Sequence, residues 1–126
     1  MIFEIQLHKG RLVYMSGNAD DYYSVVLIDS KKFKNIWDKR QMNDHSSEQW
    51  YINKYNNAEI CFLQSKLYPV PMSVVGGIHD YGTPRRILRL NDGITRIQWM
   101  FDHGVKSFPV LCPKAVVTEL TERAGV

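Results

Sequence analysis

Four residues at the start of the last third of the chain could bind a phosphate group. Asp92 and Gly93 form a turn signal, and Thr95 and Arg96 follow where a first helical turn is expected. Such a helix start has free backbone N–H groups and the positive end of the helix dipole, which attract an anion. The Arg96 guanidinium would add a charge-assisted contact. The alternative is a capped helix start, with Arg96 on the surface and Asp92 assisting only the cap.

A cluster of arginines just before this turn is the second candidate. Arg85, Arg86 and Arg89 precede Arg96, and Tyr81 is nearby. They could contact the phosphate backbone of a nucleic acid or an acidic protein surface. The alternative is an edge strand whose charges prevent aggregation. The net charge of +3 is compatible with both interpretations and with an ordinary solvated surface.

A glycine-containing segment upstream of the arginines is predicted to be a loop that a ligand could approach. Its candidate residues are Gly76, Gly77, His79 and Asp80. No Gly-Lys-Ser/Thr follows the glycines, so the segment is not a P-loop. His79-Asp80 resembles half of a metal-dependent phosphohydrolase signature. Further ligands at recognisable spacing are missing from the sequence, and no metal site is predicted.

Length and composition indicate one domain over residues 1–126. The chain has 44% hydrophobic and 12% aromatic residues, enough for one core. No apolar run approaches the roughly 20 residues that cross a bilayer, and the start alternates apolar and polar residues, unlike a signal peptide. We therefore expect a cytoplasmic protein that does not insert into membranes. Cys61 and Cys112 lie in apolar runs and are expected to be buried free thiols.

The first third of the chain predicts two strands, a third strand and a helix. Ile2 to Met15 alternates in polarity around Lys9-Gly10, which is typical of a β-hairpin. A further strand is expected from Tyr22 to Ile28. The period then changes to about 3.6, so that Phe33, Ile36 and Trp37 share one face of a helix capped by Asp29 or Ser30.

The middle of the chain is less regular. A short helix is predicted from Glu48 to Tyr55, capped by Ser46 or Ser47. Residues 58–67 fit a strand or a helix equally well. Tyr68 to Pro71 should be extended, because each proline disfavours helical backbone in the residue before it.

The last third predicts the order β-turn-α-β-α. The expected elements are a strand Arg86–Leu90, a tight turn Asn91–Gly93, a helix Ile94–His103 stopped by Gly104, a strand Ser107–Leu111 and a helix Pro113–Ala124.

This last third resembles the central motif of the ParB/sulfiredoxin superfamily. In that motif a strand ends in a glycine turn, an arginine opens a helix, a second glycine ends the helix, and a strand begins near a proline. Gly93, Arg96, Gly104, Pro109 and Val110 hold these places.

The residues are most similar to plasmid fertility-inhibition factors related to FiwA and Osa. The similarity lies in Asp92-Gly93-Ile94-Thr95-Arg96, Trp99 and Phe108-Pro109-Val110, and upstream in Val25–Asp29, Phe33, Trp37 and Pro69–Met72. It implies an α/β fold of the ParB/sulfiredoxin type, with an N-terminal β-hairpin and the C-terminal β-turn-α-β-α unit.

The resemblance implies an inhibitor of conjugative DNA transfer encoded by a mobile element. The expected partner is the coupling protein, a TraG-type ATPase, of a rival plasmid's type IV secretion system, with nucleic acid as an alternative partner. Some members of this branch are credited with ATPase and nuclease activity. The alternative function is therefore a nucleotide- or DNA-processing enzyme that uses a nucleotide or Mg²⁺.

Two departures from the superfamily favour a binding protein over an enzyme. Sulfiredoxins carry a catalytic cysteine and a histidine where this chain has Ile94 and Thr95. ParB proteins carry a glutamate and two arginines, of which only Arg96 is present. No cofactor and no catalytic residue are predicted on this basis.

Overall fold

The computed structural model describes residues 1–37, 48–80 and 86–126. In this part of the chain the strands are β1 (Ile2–Gln6), β2 (Leu12–Ser16), β3 (Tyr23–Asp29), β4 (Val70–Pro71), β5 (Ser73–Asp80), β6 (Arg86–Asp92) and β7 (Ser107–Pro113). The helices are α1 (Ser30–Ile36), α2 (Glu48–Leu63), α3 (Ile94–Asp102) and α4 (Val117–Ala124), with short 3-10 turns at His8–Gly10 and Lys114–Val116.

The strands form two sheets, in the orders β1-β2-β4 and β3-β7-β5-β6. The predicted hairpin is confirmed: β1 and β2 are antiparallel, with Gln6 opposite Leu12. The turn between them requires left-handed backbone at Lys9 (φ 70°) and Gly10 (φ 82°). Glycine adopts this conformation at no steric cost, whereas a lysine there is uncommon.

A short extended segment connects the two sheets. β4 pairs in parallel with β2, and β5 pairs in parallel with β7 through Ser73 and Val74. Since β4 and β5 are separated only by Met72, the chain leaves one sheet and enters the other within residues 70–74. The extended backbone predicted from Tyr68 to Pro71 is confirmed at Val70–Pro71, whereas Tyr68 lies in a bend.

Helix α1 forms as its pattern predicts. The Asp29 side chain caps it by accepting a hydrogen bond from the Lys32 backbone N–H at 3.1 Å. Phe33, Ile36 and Trp37 are all buried. The Phe33 ring packs edge-on against Phe108 of β7, with ring centroids 5.6 Å apart, so the helix covers the second sheet.

Helices α2 and α3 pack together through an aromatic stack. The Phe62 and Trp99 rings are nearly parallel, with their centroids 4.4 Å apart. The His103 ring also stacks on Trp99, at a centroid distance of 3.8 Å. Phe62 and Trp99 belong to one hydrophobic cluster that also contains residues of both sheets. This stack fixes α2 beside α3.

The glycine segment is a strand, and the loop predicted over residues 76–84 is wrong for residues 76–80; its continuation at 81–84 lies outside the described residues. Gly76, Gly77, His79 and Asp80 all belong to β5, which pairs with β6 from Val74 to Asp80 and with β7 at its start. A strand with neighbours on both sides gains ladder hydrogen bonds and buried apolar contacts at Val75 and Ile78. These outweigh the low strand propensity of glycine.

Several predicted boundaries also differ from the structure. Helix α2 continues past Tyr55 to Leu63, because Ala58 and Phe62 extend its buried face at helical spacing. Strand β6 continues through Asn91 and Asp92, so the turn is confined to Gly93. The last α-helix begins at Val117, because Pro113 is extended at the end of β7 and a 3-10 turn follows it. The predicted caps Ser46 and Ser47 lie outside the described residues.

The predicted α/β class, with its N-terminal hairpin and C-terminal β-turn-α-β-α unit, is confirmed. Of the two cysteines, Cys112 is buried as predicted, but Cys61 is exposed on α2. Among the helices of the described ranges, none has the length and apolar character needed to cross a bilayer.

Candidate functional site

The start of α3 is built around Gly93. This residue is the N-cap of the helix and has φ 88°, in the left-handed region. Its carbonyl oxygen accepts hydrogen bonds from the Ile97 backbone N–H at 3.2 Å and from the buried Ser73 hydroxyl at 3.0 Å. A Cβ at position 93 would lie 2.7 Å from the Ser73 Cβ. Both the backbone angle and this close approach therefore require glycine.

The Arg96 side chain makes hydrogen bonds and an ion pair within the protein. One terminal nitrogen donates to the Pro71 carbonyl at 3.2 Å and approaches the Met72 carbonyl at 3.5 Å. The other lies 3.6 Å from the Asp92 carboxylate. The Arg96 side chain is only 24% exposed, whereas that of Asp92 is 64% exposed. Arg96 thus ties α3 to the segment that connects the two sheets.

A small pocket of about 270 Å³ lies beside this helix start. It is lined by the predicted residues Asp92, Gly93, Thr95 and Arg96, by Asn91 and Ile94, and by Trp50 and Lys54 of α2. The Lys54 ammonium lies 5.7 Å from the centroid of the Trp50 ring, within range of a cation–π contact. The pocket therefore combines a helix N-terminus, two cations and an aromatic face.

Sequence reasoning missed Trp50 and Lys54. Their i, i+4 spacing places them on one side of a helix, which the sequence does indicate. Their position beside residues 91–96 depends on the packing of α2 against α3, for which the sequence contains no local signal.

Gly76 lies against the side chain of Asn91, one of the residues that line the pocket. Two register shifts between β5 and β6 place Val74 opposite Asp92 and Gly77 opposite Arg89. A Cβ at position 76 would lie 2.7 Å from the Cγ of Asn91. Gly76 thus leaves room for the Asn91 side chain, which lines the pocket.

The remaining predicted residues lie away from the helix start or outside the described ranges. His79 and Asp80 pair with Ile87 and Arg86 at the far end of the β5–β6 ladder from Asp92. Arg86 begins β6, and Arg85 lies outside the described residues. Arg89 is exposed on β6, at the edge of the four-stranded sheet as described. Arg86 and Arg89 therefore lie along a strand that ends at the pocket.

The groups at the pocket are of the kinds that bind an anion. Within residues 1–37, 48–80 and 86–126, no three His, Cys, Asp or Glu side chains converge in a way that could bind a metal ion. Asp92 is the carboxylate at the pocket, and it faces Arg96. The arrangement is suited to binding, through Lys54, Trp50 and the helix N-terminus.

Comparisons with known proteins agree with the resemblance seen in the sequence. A solved structure of similar fold is the crystal structure of Oncogenic Suppression Activity Protein, described as a plasmid fertility inhibition factor, in a gold(I) cyanide derivative. The TM-score is 0.80 at 24% identity, over 99% of this chain and 69% of that chain. No curated protein matches the chain significantly. The family model of the Plasmid Fertility inhibition factor matches residues 25–125, and the chain belongs to this family.

Proposed function

We propose that this protein inhibits conjugative DNA transfer by binding the coupling protein of a rival plasmid's type IV secretion system. Membership of the fertility inhibition family supports a role in plasmid fertility inhibition. The coupling protein is the target that the resemblance to the FiwA and Osa branch favours. Binding, rather than chemistry, is the mode of action that the residues at α3 support.

The internal engagement of Arg96 is the observation that carries this proposal. An arginine that acted on a substrate phosphate would direct its guanidinium N–H groups at the phosphate oxygens. Here the guanidinium is bonded to the Pro71 carbonyl and faces Asp92. The arginine at the motif position thus serves the fold, and the groups that a partner can reach are the exposed ones around it.

The exposed Trp50, Lys54 and Arg89, together with the half-buried Thr95, form what we call the docking surface. Arg89 and Asn91 are alternate exposed residues of β6 and share one face of it, so the surface continues from the pocket along the strand. Tryptophan and arginine are the residue types most often responsible for binding energy at protein interfaces. An aromatic ring beside the Lys54 ammonium, with the further positive charge of Arg89 on the neighbouring strand, fits an acidic patch on the partner.

A mating assay tests the proposal. Donors that carry a conjugative plasmid would express the wild type, Trp50→Ala, Lys54→Glu or Arg89→Glu, with Lys114→Glu as a matched charge reversal away from the docking surface. The three surface variants should restore transfer and lose co-purification with the coupling protein, whereas Lys114→Glu should behave as the wild type. Full inhibition by all three folded surface variants would contradict the proposed surface. Inhibition without any association with the coupling protein would contradict the proposed target.

The second candidate is a nucleotide- or DNA-processing enzyme, and the composition of the pocket favours it. Lys54 and the N-terminus of α3 could hold a phosphate, the Trp50 ring could stack on a base, and Asp92 could approach a Mg²⁺ ion that the nucleotide brings. Hydrolysis of ATP or cleavage of DNA in Mg²⁺, abolished by Lys54→Ala and by Asp92→Asn in folded protein, would establish this function. If both variants kept the activity of the wild type, the activity would come from a contaminant.

A further inference from the structure

A larger cleft lies at the N-terminal hairpin, away from the docking surface. Its volume is about 680 Å³, which is within the range of about 300–1,000 Å³ typical of ligand sites. One wall is formed by Glu4, Gln6 and Leu7, the end by His8, Lys9 and Gly10, and the other wall by Gly104, Lys106 and Ser107. Most of these residues precede the span that the family model matches.

The first wall is the outer edge of β1. In an antiparallel pair, alternate residues direct both backbone groups toward the partner strand. Met1 and Leu7 do so, because the Met1 carbonyl accepts from the Gly17 N–H at 3.2 Å and the Leu7 N–H donates to the Arg11 carbonyl at 2.7 Å. By this alternation the backbone groups of Ile2, Glu4 and Gln6 point away from β2. In the described part of the chain, β2 is the strand with which β1 pairs.

The opposite wall is the beginning of β7. On the side away from β3, β7 pairs with β5 only at Val110 and Leu111. Residues Ser107 to Pro109 precede this pairing. The cleft therefore lies beside β1 at a position where neither of the described sheets has a strand. Its end is closed by the His8 N–H, which donates to the His103 carbonyl at 2.8 Å.

The charges at the cleft are mainly positive. Lys9 and Lys106 are exposed and line it together with His8, and Glu4 is the acidic residue among those that line it. Lys9 keeps its position although its backbone is left-handed, a conformation that persists only where the surrounding structure holds it. An extended ligand along β1 would meet Lys9 at the closed end and Lys106 on the opposite wall.

We propose that this cleft binds an extended, acidic peptide segment of a partner protein, which adds a strand to the outer edge of β1. The backbone groups of Ile2, Glu4 and Gln6 supply the main-chain hydrogen bonds, and Lys9 and Lys106 select carboxylate side chains. The site is separate from the docking surface and does not depend on its function. It gives the protein a second place for contact with another chain.

Two synthetic peptides test the proposal on the full chain. One alternates threonine and glutamate, and the other alternates threonine and lysine. Binding is followed by NMR through amide hydrogen exchange of Ile2, Glu4 and Gln6, with Phe3 and Ile5 as internal controls that β2 already protects. The glutamate peptide should slow exchange at the three edge residues only. The lysine peptide should bind about tenfold or more weakly, because its charges repel Lys9 and Lys106.

Three variants and a control refine the test. Lys9→Gly removes a charge and also relieves the left-handed backbone, so a loss of binding in this variant cannot come from unfolding. Lys106→Glu should weaken the glutamate peptide further, and Glu4→Gln should strengthen it, whereas Lys66→Glu, an exposed reversal elsewhere, should change nothing.

Three results would overturn the proposal. Equal binding of both peptides would contradict the proposed selection of carboxylates by Lys9 and Lys106. Unchanged exchange at Ile2, Glu4 and Gln6 would remove the strand addition. A stable dimer in which the same three amides are already protected would assign the edge to a second copy of this chain. None of these results bears on the mating assay, which tests the docking surface.

Discussion

The Tyr55 hydroxyl donates a 2.7 Å hydrogen bond to the Asp102 carboxylate, and this bond joins α2 to the end of α3. The second carboxylate oxygen of Asp102 accepts from the Gln98 amide at 2.8 Å. The contact helps to hold α2 at the angle that places Trp50 and Lys54 beside the start of α3. The position of the docking surface therefore depends on a pair that lies outside it.

Tyr55→Phe should lower the free energy of unfolding by about 1 kcal/mol, since one hydrogen bond to a carboxylate is lost while the ring remains. Urea denaturation at neutral pH measures the change. Tyr51→Phe is the matched control, because its ring lies beside that of Tyr55. An equal loss in both variants would show that the Asp102 bond contributes nothing specific.

The same pair predicts a dependence on alkaline pH. Burial, followed by the hydrogen bond and charge of Asp102, raises the pKa of Tyr55 above its ordinary value of 10.0. A group with a raised pKa contributes stability that is complete below the pKa of the unfolded chain and is lost as the pH rises above it. The wild type should therefore lose stability above about pH 10 more steeply than Tyr55→Phe. Denaturation curves at several alkaline pH values measure this, and parallel profiles would contradict it.

Gly93→Ala and Gly10→Ala separate a backbone cost from a steric one. Both glycines are left-handed, but a Cβ at position 10 would meet only the Gln6 amide nitrogen at 4.0 Å, whereas at position 93 it would collide with Ser73. Gly10→Ala should cost about 1 kcal/mol. Gly93→Ala should cost about 2 kcal/mol more, because Ser73 is fully buried and the neighbouring backbone must move. Thermal denaturation compares the two, and equal costs would show that the contact with Ser73 relaxes freely.

Arg96→Ala should destabilise the protein by about 1–2 kcal/mol, because the Pro71 carbonyl loses a charged donor. Arg123→Ala is the control: Arg123 makes a 3.1 Å ion pair with Glu119 on α4, and loss of such an exposed i, i+4 pair costs about 0.5 kcal/mol or less. Urea denaturation measures both. A smaller cost for Arg96→Ala than for Arg123→Ala would show that Arg96 is not a structural arginine. The mating assay with Arg96→Ala is meaningful only at a temperature at which the variant is folded.

The two cysteines should react at very different rates. Cys112 is buried and therefore inaccessible, and burial also raises the pKa of its thiol to about 11, so that it stays neutral at neutral pH. Cys61 is exposed. A thiol reagent should therefore label one group per folded chain quickly and the second only on unfolding. Cys61→Ser should abolish the fast phase. Fast labelling of Cys61→Ser would show that the interior around Cys112 opens readily.

The accuracy of the sequence predictions follows how local the deciding interactions are. The hairpin, α1 and the start of α3 were predicted because alternation, a cap and a glycine turn are signals within a few residues. The sequence predicts a loop at β5 because Gly76 disfavours a strand locally, whereas its strand neighbours and Asn91 are brought to it by the fold. The same distance in sequence hid Trp50 and Lys54 from the predicted site.

The partners of Arg96 illustrate the same point. The turn motif placed an arginine at the start of α3, and this is correct. The sequence contains no local signal that the Pro71 carbonyl accepts a hydrogen bond from its guanidinium, so it is compatible with both a phosphate site and a surface arginine. In the structure Arg96 is a half-buried residue whose hydrogen bonds link α3 to the segment that connects the two sheets.

The pairing of β2 with β4, and of β3 with β7, has a consequence for how the chain folds during synthesis. The hairpin leaves the ribosome before the strands that complete its sheet, because the parallel neighbour of Met15 is Val70, and Val26 likewise pairs with the later Val110. The nascent chain must therefore keep β1, β2 and β3 without these neighbours until residues 70 and 110 have been translated. Shortened chains that end before residue 107 should be substrates for chaperones and proteases rather than smaller functional proteins.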